Sequence, residues 1–150
     1  MTDWRADRIG SAARGENPTL LARMPGGYAV IGDTQFLPEY CVLLTDDPAA
    51  TRLSDLPHPA RMAFLASMDR LAEAVERACA SLDPAFLRVN LEILGNTDPF
   101  LHAHIFPRYA WEPEQIRRGP VWRYPAARWA EAPVGPEHDE LRAAITGFLV

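Results

Sequence analysis

The 150-residue chain contains no lysine, and all fifteen of its basic residues are arginine. No side chain can therefore form a Schiff base with a carbonyl substrate or act as the phosphate-binding lysine of a P-loop. A basic excess is lacking as well, because the formal net charge is −5. A dedicated nucleic-acid surface usually carries clustered positive charge. We therefore expect no nucleic-acid partner.

Cysteine and long apolar runs are also scarce. Cys41 and Cys79 lie far apart, outside any C-x-x-C pattern and among apolar neighbours, which predicts buried free thiols rather than a disulfide. No stretch approaches the ~18 uninterrupted apolar residues of a membrane helix, and the first residues lack the apolar core of a signal peptide. We expect a cytoplasmic protein without a membrane partner.

The spacing of apolar residues predicts three helices. Between Pro59 and Ser81 these residues recur at i, i+3, i+4 and i+7, which is typical of a long amphipathic helix. A short helix is predicted over residues 3–14, with Asp3 as its N-cap and Gly15 just past its end. A short C-terminal helix is predicted over Glu137–Phe148.

Five segments bounded by turn-forming residues predict strands. They are Thr19–Met24, Tyr28–Ile31, Tyr40–Thr45, Phe86–Leu94 and the stretch from 100 to 109. Strands around one long helix favour an α+β fold with a mainly antiparallel five-stranded sheet. We predict a single domain over residues 1–150, with a core at about 18–109 and a proline- and tryptophan-rich extension over 110–150.

Two histidines stand one residue apart in the last predicted strand. Because side chains alternate along a strand, His102 and His104 share one face with Phe106 and Arg108. The turn-forming segment 95–99 predicts an antiparallel hairpin with the preceding strand. The polar residues of that strand, Asn90 and Glu92, then lie on the surface of the histidines, near Asn96 in the loop. In the preceding strand, Leu87, Val89, Leu91 and Ile93 face the core.

Three chemical interpretations of His102 and His104 are open. One imidazole can attack a phosphorus or carbonyl centre while the other stabilises the developing charge. Alternatively, the His-x-His pair can supply two ligands to a metal ion, although further residues at ligand spacing are missing. In the third interpretation, the two histidines lie on a solvated strand face without chemistry.

These residues resemble the histidine triad (HIT) superfamily of nucleotide hydrolases and transferases, and most closely its bacterial diadenosine-polyphosphate-hydrolase-like members. The similarity rests on Gly95-Asn96 and on Leu101–Tyr109, preceded by Asn90 and Glu92. It extends upstream to the segment from Ile31-Gly32-Asp33 to Leu44 and covers roughly residues 28–109. The resemblance implies a homodimeric nucleotide hydrolase that binds a small-molecule nucleotide.

The resemblance also implies a role for each matching residue. His102 would be the nucleophile on the α-phosphorus, His104 a hydrogen-bond donor to phosphate oxygen, and Asn96 a phosphate contact. Asn90 would lie near the ribose, and Asp33 would bind the ribose hydroxyls. The implied walls of the base slot are Ile31, Phe36, Leu37 and Leu43. No metal or cofactor is required by this scheme, although Mg²⁺ can accompany the substrate phosphates.

The sequence departs from the family pattern at two positions. The family motif has three alternating histidines, and Phe100 occupies the first position when His102 is the middle one. A frame shifted by two would make His104 the middle residue and Phe106 the third. Tyr40 stands where many members carry histidine. A catalytically weak nucleotide-binding module is therefore the alternative to an active hydrolase.

The extension is rich in tryptophan. Trp111, Trp122 and Trp129 can line a substrate cleft, but we expect them to pack the extension onto the domain or to form a subunit contact.

Glu92 is expected either to orient a histidine or to pair with Arg88 or Arg108.

Overall fold

The computed structural model describes residues 3–149, and its five strands form one antiparallel sheet with the order β1-β2-β3-β5-β4. The strands are β1 (Leu20–Met24), β2 (Gly27–Ile31), β3 (Cys41–Thr45), β4 (Phe86–Glu92) and β5 (His102–Tyr109). β4 and β5 are antiparallel neighbours, as the hairpin prediction requires. The predicted α+β fold with a five-stranded antiparallel sheet is confirmed.

The helices occupy the two ends and the middle of the chain. They are α1 (Arg8–Ala13), α2 (His58–Leu82), α3 (Glu114–Arg117) and α4 (Asp139–Leu149). Short 3₁₀ turns cover Trp4–Asp7, Leu53–Asp55, Val121–Arg123, Ala126–Ala130 and Pro136–His138. Within residues 3–149, no helix is both long enough and apolar enough to cross a membrane.

Helix α2 covers one face of the sheet because its apolar residues form a single stripe. Phe64, Leu71 and Val75 are fully buried, and the helix contacts β3, β4, β5 and α4. Cys79 of α2 and Cys41 of β3 are both buried and unbridged, which confirms the prediction of free thiols. The face of β5 that carries Ala103 and Ile105 lies in this core.

The β1–β2 hairpin approaches α2 so closely that its turn requires glycine. A Cβ atom on Gly26 would lie 2.3 Å from the carbonyl oxygen of Ala63 in α2. The Gly26 N–H also donates to the Ser67 hydroxyl at 2.9 Å. This contact fixes the end of the sheet against the helix.

Strand β4 is an edge strand, and most of its predicted inward face is open. Val89 is buried, but Leu87 and Leu91 are 53% and 44% exposed. The pairing of β4 with β5 is irregular between Phe86 and Arg88, and β4 has no strand on its outer side. The prediction that all four apolar side chains face the core is therefore wrong for these two leucines.

A buried ion pair fixes the extension on the opposite face of the sheet, the one that carries the histidines. The side chains of Arg108 and Glu112 are 3% and 0% exposed, and Arg108 Nε lies 3.1 Å from a Glu112 carboxylate oxygen. Arg108 also donates to the Asn90 side chain and to the carbonyl oxygens of Ile116 and Gly119. Breaking such a pair would leave an uncompensated buried charge, so residues 112–124 are firmly attached.

Candidate active site

A cavity of about 280 Å³ lies over β2, β3 and β5, on the histidine face of the sheet. Both histidines of β5 line it. They face side chains from β2, from β3, from the N-terminal segment and from the extension. The other lining residues are Arg8, Val30, Ile31, Gly32, Asp33, Thr34, Tyr40, Val42, Leu44, Asp98, Phe100 and Trp129. Apolar walls with a few polar groups are typical of a small-molecule site.

The hydrogen-bond partner of His102 determines its tautomer. His102 lies opposite Leu44 of β3, and its Nδ1 is 2.7 Å from the carbonyl oxygen of Phe100. A carbonyl oxygen can only accept, so Nδ1 carries the hydrogen. Nε2 of the neutral ring is then unprotonated and available as a nucleophile.

His104 stands beside His102, with the two ring centroids 4.8 Å apart. Burial, reinforced by the neighbouring His102, lowers the pKa of His104 to about 4. Its Nδ1 lies 2.8 Å from the Tyr40 hydroxyl. When Tyr40 donates this hydrogen bond, the single hydrogen of the neutral imidazole is on Nε2, where it can be donated to a ligand oxygen.

Tyr40 is held rigidly in this position. Its ring stacks on Phe106 with centroids 4.4 Å apart and planes 13° from parallel. Burial, and to a smaller extent the charge of Asp33, raises the pKa of the Tyr40 phenol far above its usual range. The hydroxyl therefore keeps its hydrogen at all physiological pH values and can support His104 in place of a histidine.

Asp33 reaches the cavity from the loop after β2 and is paired with Arg8 of α1. Arg8 Nη1 and Nη2 lie 3.1 and 2.6 Å from the two carboxylate oxygens of Asp33, which is a bidentate arrangement. Arg8 is the only arginine among the cavity-lining residues, and no lysine exists in the chain. The charged side chains that line the cavity are thus Arg8, Asp33 and Asp98, and Arg8 is paired with Asp33.

Two tryptophans of the extension reach the histidine face. Trp129 lines the cavity and packs edge-on against Phe36, with centroids 5.1 Å apart. Trp122 packs edge-on against His104 at 5.7 Å and donates its indole N–H to Glu92. The expectation that they pack the extension onto the domain is met, but Trp129 is also a cavity wall. Glu92 pairs with neither Arg88 nor Arg108.

Comparison with known proteins identifies the family of this chain. The sequence profile of the HIT domain matches residues 22–111. The chain belongs to the HIT domain family. No curated protein matches the sequence.

Solved structures of histidine triad proteins share the fold of this HIT domain. One from Sinorhizobium meliloti 1021 is 18% identical, with a TM-score of 0.70, over 99% of this chain and 96% of that one. One from Marinobacter aquaeolei VT8 is 20% identical, with a TM-score of 0.69, over 87% of each chain. A third, from Bradyrhizobium japonicum, is 19% identical, with a TM-score of 0.63, over 93% of this chain and 96% of that one.

The predicted base-slot residues of this HIT domain do not all meet at the cavity. Ile31 is a wall of the cavity, whereas Phe36 packs behind it against Trp129. Leu37 and Leu43 are core residues, and Leu43 lies on the opposite face of β3 from the histidines. Val42 and Leu44 line the cavity instead, because they pair with His104 and His102 on the same face.

The two predicted asparagines lie outside the cavity walls. Asn90 shares the histidine face, as predicted, but its side-chain oxygen accepts from Arg108 at 2.8 Å. Asn96 is exposed in the β4–β5 loop, and Asp98 of that loop lines the cavity. The cavity-lining residues that sequence reasoning missed are Arg8, Val30, Gly32, Thr34, Val42, Leu44 and Asp98. Strand pairing could have indicated Val42 and Leu44, whereas Arg8 carries no local signal.

The histidine pair lacks further metal ligands in the part of the chain that the structure describes. Within residues 3–149, no three His, Cys, Asp or Glu side chains are grouped so that they could hold a metal ion. Structural zinc sites generally use four protein ligands and catalytic ones three.

Proposed function

We propose that this HIT domain is a nucleotide hydrolase or transferase that works through a nucleotidyl-histidine intermediate on His102. The observation that carries the proposal is the hydrogen bond from His102 Nδ1–H to the Phe100 carbonyl, which leaves Nε2 free at the cavity. Family membership supports nucleotides as the ligand class. The substrate class we propose is a dinucleoside polyphosphate or a nucleoside phosphoramidate.

The proposed reaction has two displacement steps at phosphorus. His102 Nε2 attacks the α-phosphorus, a P–N bond forms, and the leaving group departs with its bonding electrons. A phosphate leaves as the anion, and an amine takes up a proton from water. Water then attacks the phosphorus, the P–N bond breaks, its electrons return to Nε2, and the remaining proton passes to solvent.

The neighbouring groups stabilise the charges that develop in this scheme. Covalently bound His102 is an imidazolium, and the Phe100 carbonyl accepts its Nδ1–H hydrogen bond. His104, kept neutral by its lowered pKa and supported by Tyr40, donates Nε2–H to a phosphate oxygen. We propose no catalytic metal. Mg²⁺ would enter only as a counter-ion of the substrate phosphates.

Intact-protein mass spectrometry tests this function. During turnover of adenosine 5′-phosphoramidate, quenched without acid, we expect an adduct of one adenylyl group that peptide mapping places on His102. Matched His102→Ala and His104→Ala variants decide which histidine is the middle residue of the motif, because only the first variant should lack the adduct completely. An adduct on His104 would show that the shifted motif frame is correct. Nucleotide binding without any adduct or turnover would support the binding-module alternative.

We also propose a homodimer that forms along β4. A free strand edge exposes unpaired N–H and C=O groups, and the exposed Leu87 and Leu91 extend apolar surface along this edge. A second copy of the chain, related by a two-fold axis, would pair with the edge and cover both leucines.

Light scattering during size-exclusion chromatography checks the dimer. We expect wild-type protein to be dimeric and Leu91→Arg to be monomeric, because burying an unpaired charge at an interface costs about 2–5 kcal/mol. Met62→Arg is the control, since Met62 is similarly exposed (42%) but lies on α2 beside the β1–β2 turn. A dimeric Leu91→Arg protein would exclude this interface.

We place the protein in the cytoplasm. The support for this proposal is that Cys41 and Cys79 are both free thiols within the folded chain. Reduced cysteines are typical of proteins from a reducing compartment.

A further inference from the structure

The cavity of this HIT domain receives a charged side chain from outside the segment that the family profile matches. Arg8 belongs to α1, and the match begins at residue 22. Its guanidinium contacts both carboxylate oxygens of Asp33, at 3.1 and 2.6 Å. Paired N–H donors of this kind fix the plane of a carboxylate, which a single ammonium group cannot do.

Arg8 is itself held in place by the N-terminal segment. Its guanidinium lies 5.1 Å from the Trp4 ring centroid. Its carbonyl oxygen accepts hydrogen bonds from the side chains of Asn17 at 3.2 Å and Ser11 at 3.1 Å. The side chain of Arg8 is therefore directed towards Asp33 by packing and backbone contacts rather than by the ion pair alone.

The loop that carries Asp33 is fixed from its other side by the C-terminal extension. The Asp33 carbonyl oxygen accepts from the Val134 N–H at 2.8 Å, and the Gln35 N–H donates to the Ala132 carbonyl at 2.8 Å. Thr34 pairs with Pro133 in an isolated β-bridge. Residues on both sides of the family segment therefore contact this loop.

We infer that Arg8 is a positioning residue that orients the Asp33 carboxylate for two adjacent ribose hydroxyls and thereby sets a preference for ribonucleotides over 2′-deoxyribonucleotides. The inference rests on the proposed function and on the ribose contact that the family resemblance implies for Asp33. Each Asp33 oxygen uses one lone pair for Arg8 and keeps another for a sugar hydroxyl. A 2′-deoxyribose offers only one of the two hydroxyls, so one oriented acceptor is left without a partner.

Calorimetric binding of AMP and of 2′-deoxy-AMP tests the inference without requiring turnover. Wild-type protein is expected to bind AMP about tenfold more tightly, the effect of one hydrogen bond to a charged group. Arg8→Gln should reduce this ratio to about two, and Asp33→Asn should reduce it at least as far. Arg8→Lys, which keeps the charge but loses the paired donors, should resemble Arg8→Gln.

Arg5→Gln is the matched control. Arg5 also stacks on Trp4, at 4.3 Å, but it is exposed and bonds Asp3 rather than Asp33. We expect its AMP preference to equal that of wild type. Melting temperatures of all variants verify that each is folded.

The outcomes separate the inference from the function on which it rests. If wild-type protein binds AMP preferentially and Arg8→Gln retains the full ratio, the inference about Arg8 is overturned alone. The same holds if Arg8→Gln weakens both nucleotides equally, because that result indicates a structural role. If wild-type protein binds neither nucleotide, the proposed function fails and the inference fails with it.

Discussion

Replacing His102 with alanine is expected to lower kcat for adenosine 5′-phosphoramidate by about 10³-fold or more. The variant loses the only imidazole at the cavity whose Nδ1 is bonded to a carbonyl oxygen and whose Nε2 is therefore unprotonated. The loss should appear in kcat and kcat/KM alike, because the P–N bond exists only after the ground state. Steady-state release of AMP measures both constants.

Phe100 provides the informative comparison. It occupies the first motif position, yet its contribution to His102 is the backbone carbonyl, and its ring packs against His102 with centroids 4.6 Å apart. Phe100→Leu keeps that carbonyl and an apolar neighbour, so kcat should remain within about fivefold of wild type. Phe100→His, which restores the missing histidine, should also leave kcat within about fivefold of wild type.

Two results would contradict this account. Turnover that survives in His102→Ala would show that another group is the nucleophile. A large gain of kcat in Phe100→His would show that the first imidazole of the motif has a chemical role that a backbone carbonyl does not replace. In that case the alternative of a weakened, nucleotide-binding protein would better describe the wild-type chain.

Strand alternation was sufficient to predict one half of the site. On β5 the polar and apolar residues alternate, so the sequence indicates that His102 and His104 point away from the core, and the structure places them there. On β3 every residue is buried, because α2 contacts one face and the other face is the floor of the cavity. An all-apolar strand shows no alternation, so the sequence of β3 could not test the base-slot position that the resemblance implies for Leu43, which lies on the face opposite the histidines.

The remaining walls of the cavity depend on tertiary contacts that have no sequence period. Arg8 precedes Asp33 by 25 positions, and Trp129 is held on Phe36 by the extension. The position of Arg108 on the polar face of β5 predicts a surface residue, yet Arg108 is buried with Glu112. The path of the extension over the sheet explains the placements of Trp129 and Arg108, and the N-terminal segment explains that of Arg8.

The second large effect concerns stability. Glu39→Gln is expected to stabilise the protein by about 3–5 kcal/mol at pH 8 and to have little effect near pH 4. Glu39 is 1% exposed, and neither of its carboxylate oxygens has a hydrogen-bond partner. Burial raises the pKa of Glu39 to about 8. Glutamine has nearly the same size and carries no charge at any of these pH values.

The sign of this pH dependence follows from the number of protons bound by the folded and the unfolded chain. An unfolded glutamate has a pKa of about 4.3, so between that value and about 8 the folded protein binds more protons than the unfolded one. The free energy of unfolding therefore decreases as the pH rises through this range. Below it both states are protonated, and the wild type and Glu39→Gln should be nearly equal.

Urea unfolding followed by tryptophan fluorescence at several pH values between 4 and 8.5 measures this difference. Glu73→Gln is the control, because Glu73 lies on the exposed side of α2 and should leave the pH dependence unchanged. A wild-type stability that is constant over this range would show that Glu39 ionises normally in the folded protein. A pH dependence of the free energy of unfolding that persists unaltered in Glu39→Gln would lead to the same conclusion.

The location of this destabilising residue connects stability with the site. Glu39 has a backbone φ of +79°, a conformation that costs a non-glycine residue about 1–2 kcal/mol. It immediately precedes Tyr40, whose hydroxyl supports His104, and its N–H donates to the Gln35 side chain. Glu39→Gly would remove both the strain and the carboxylate. If the turn at Glu39 serves only to place Tyr40, Glu39→Gln should retain wild-type kcat while gaining stability.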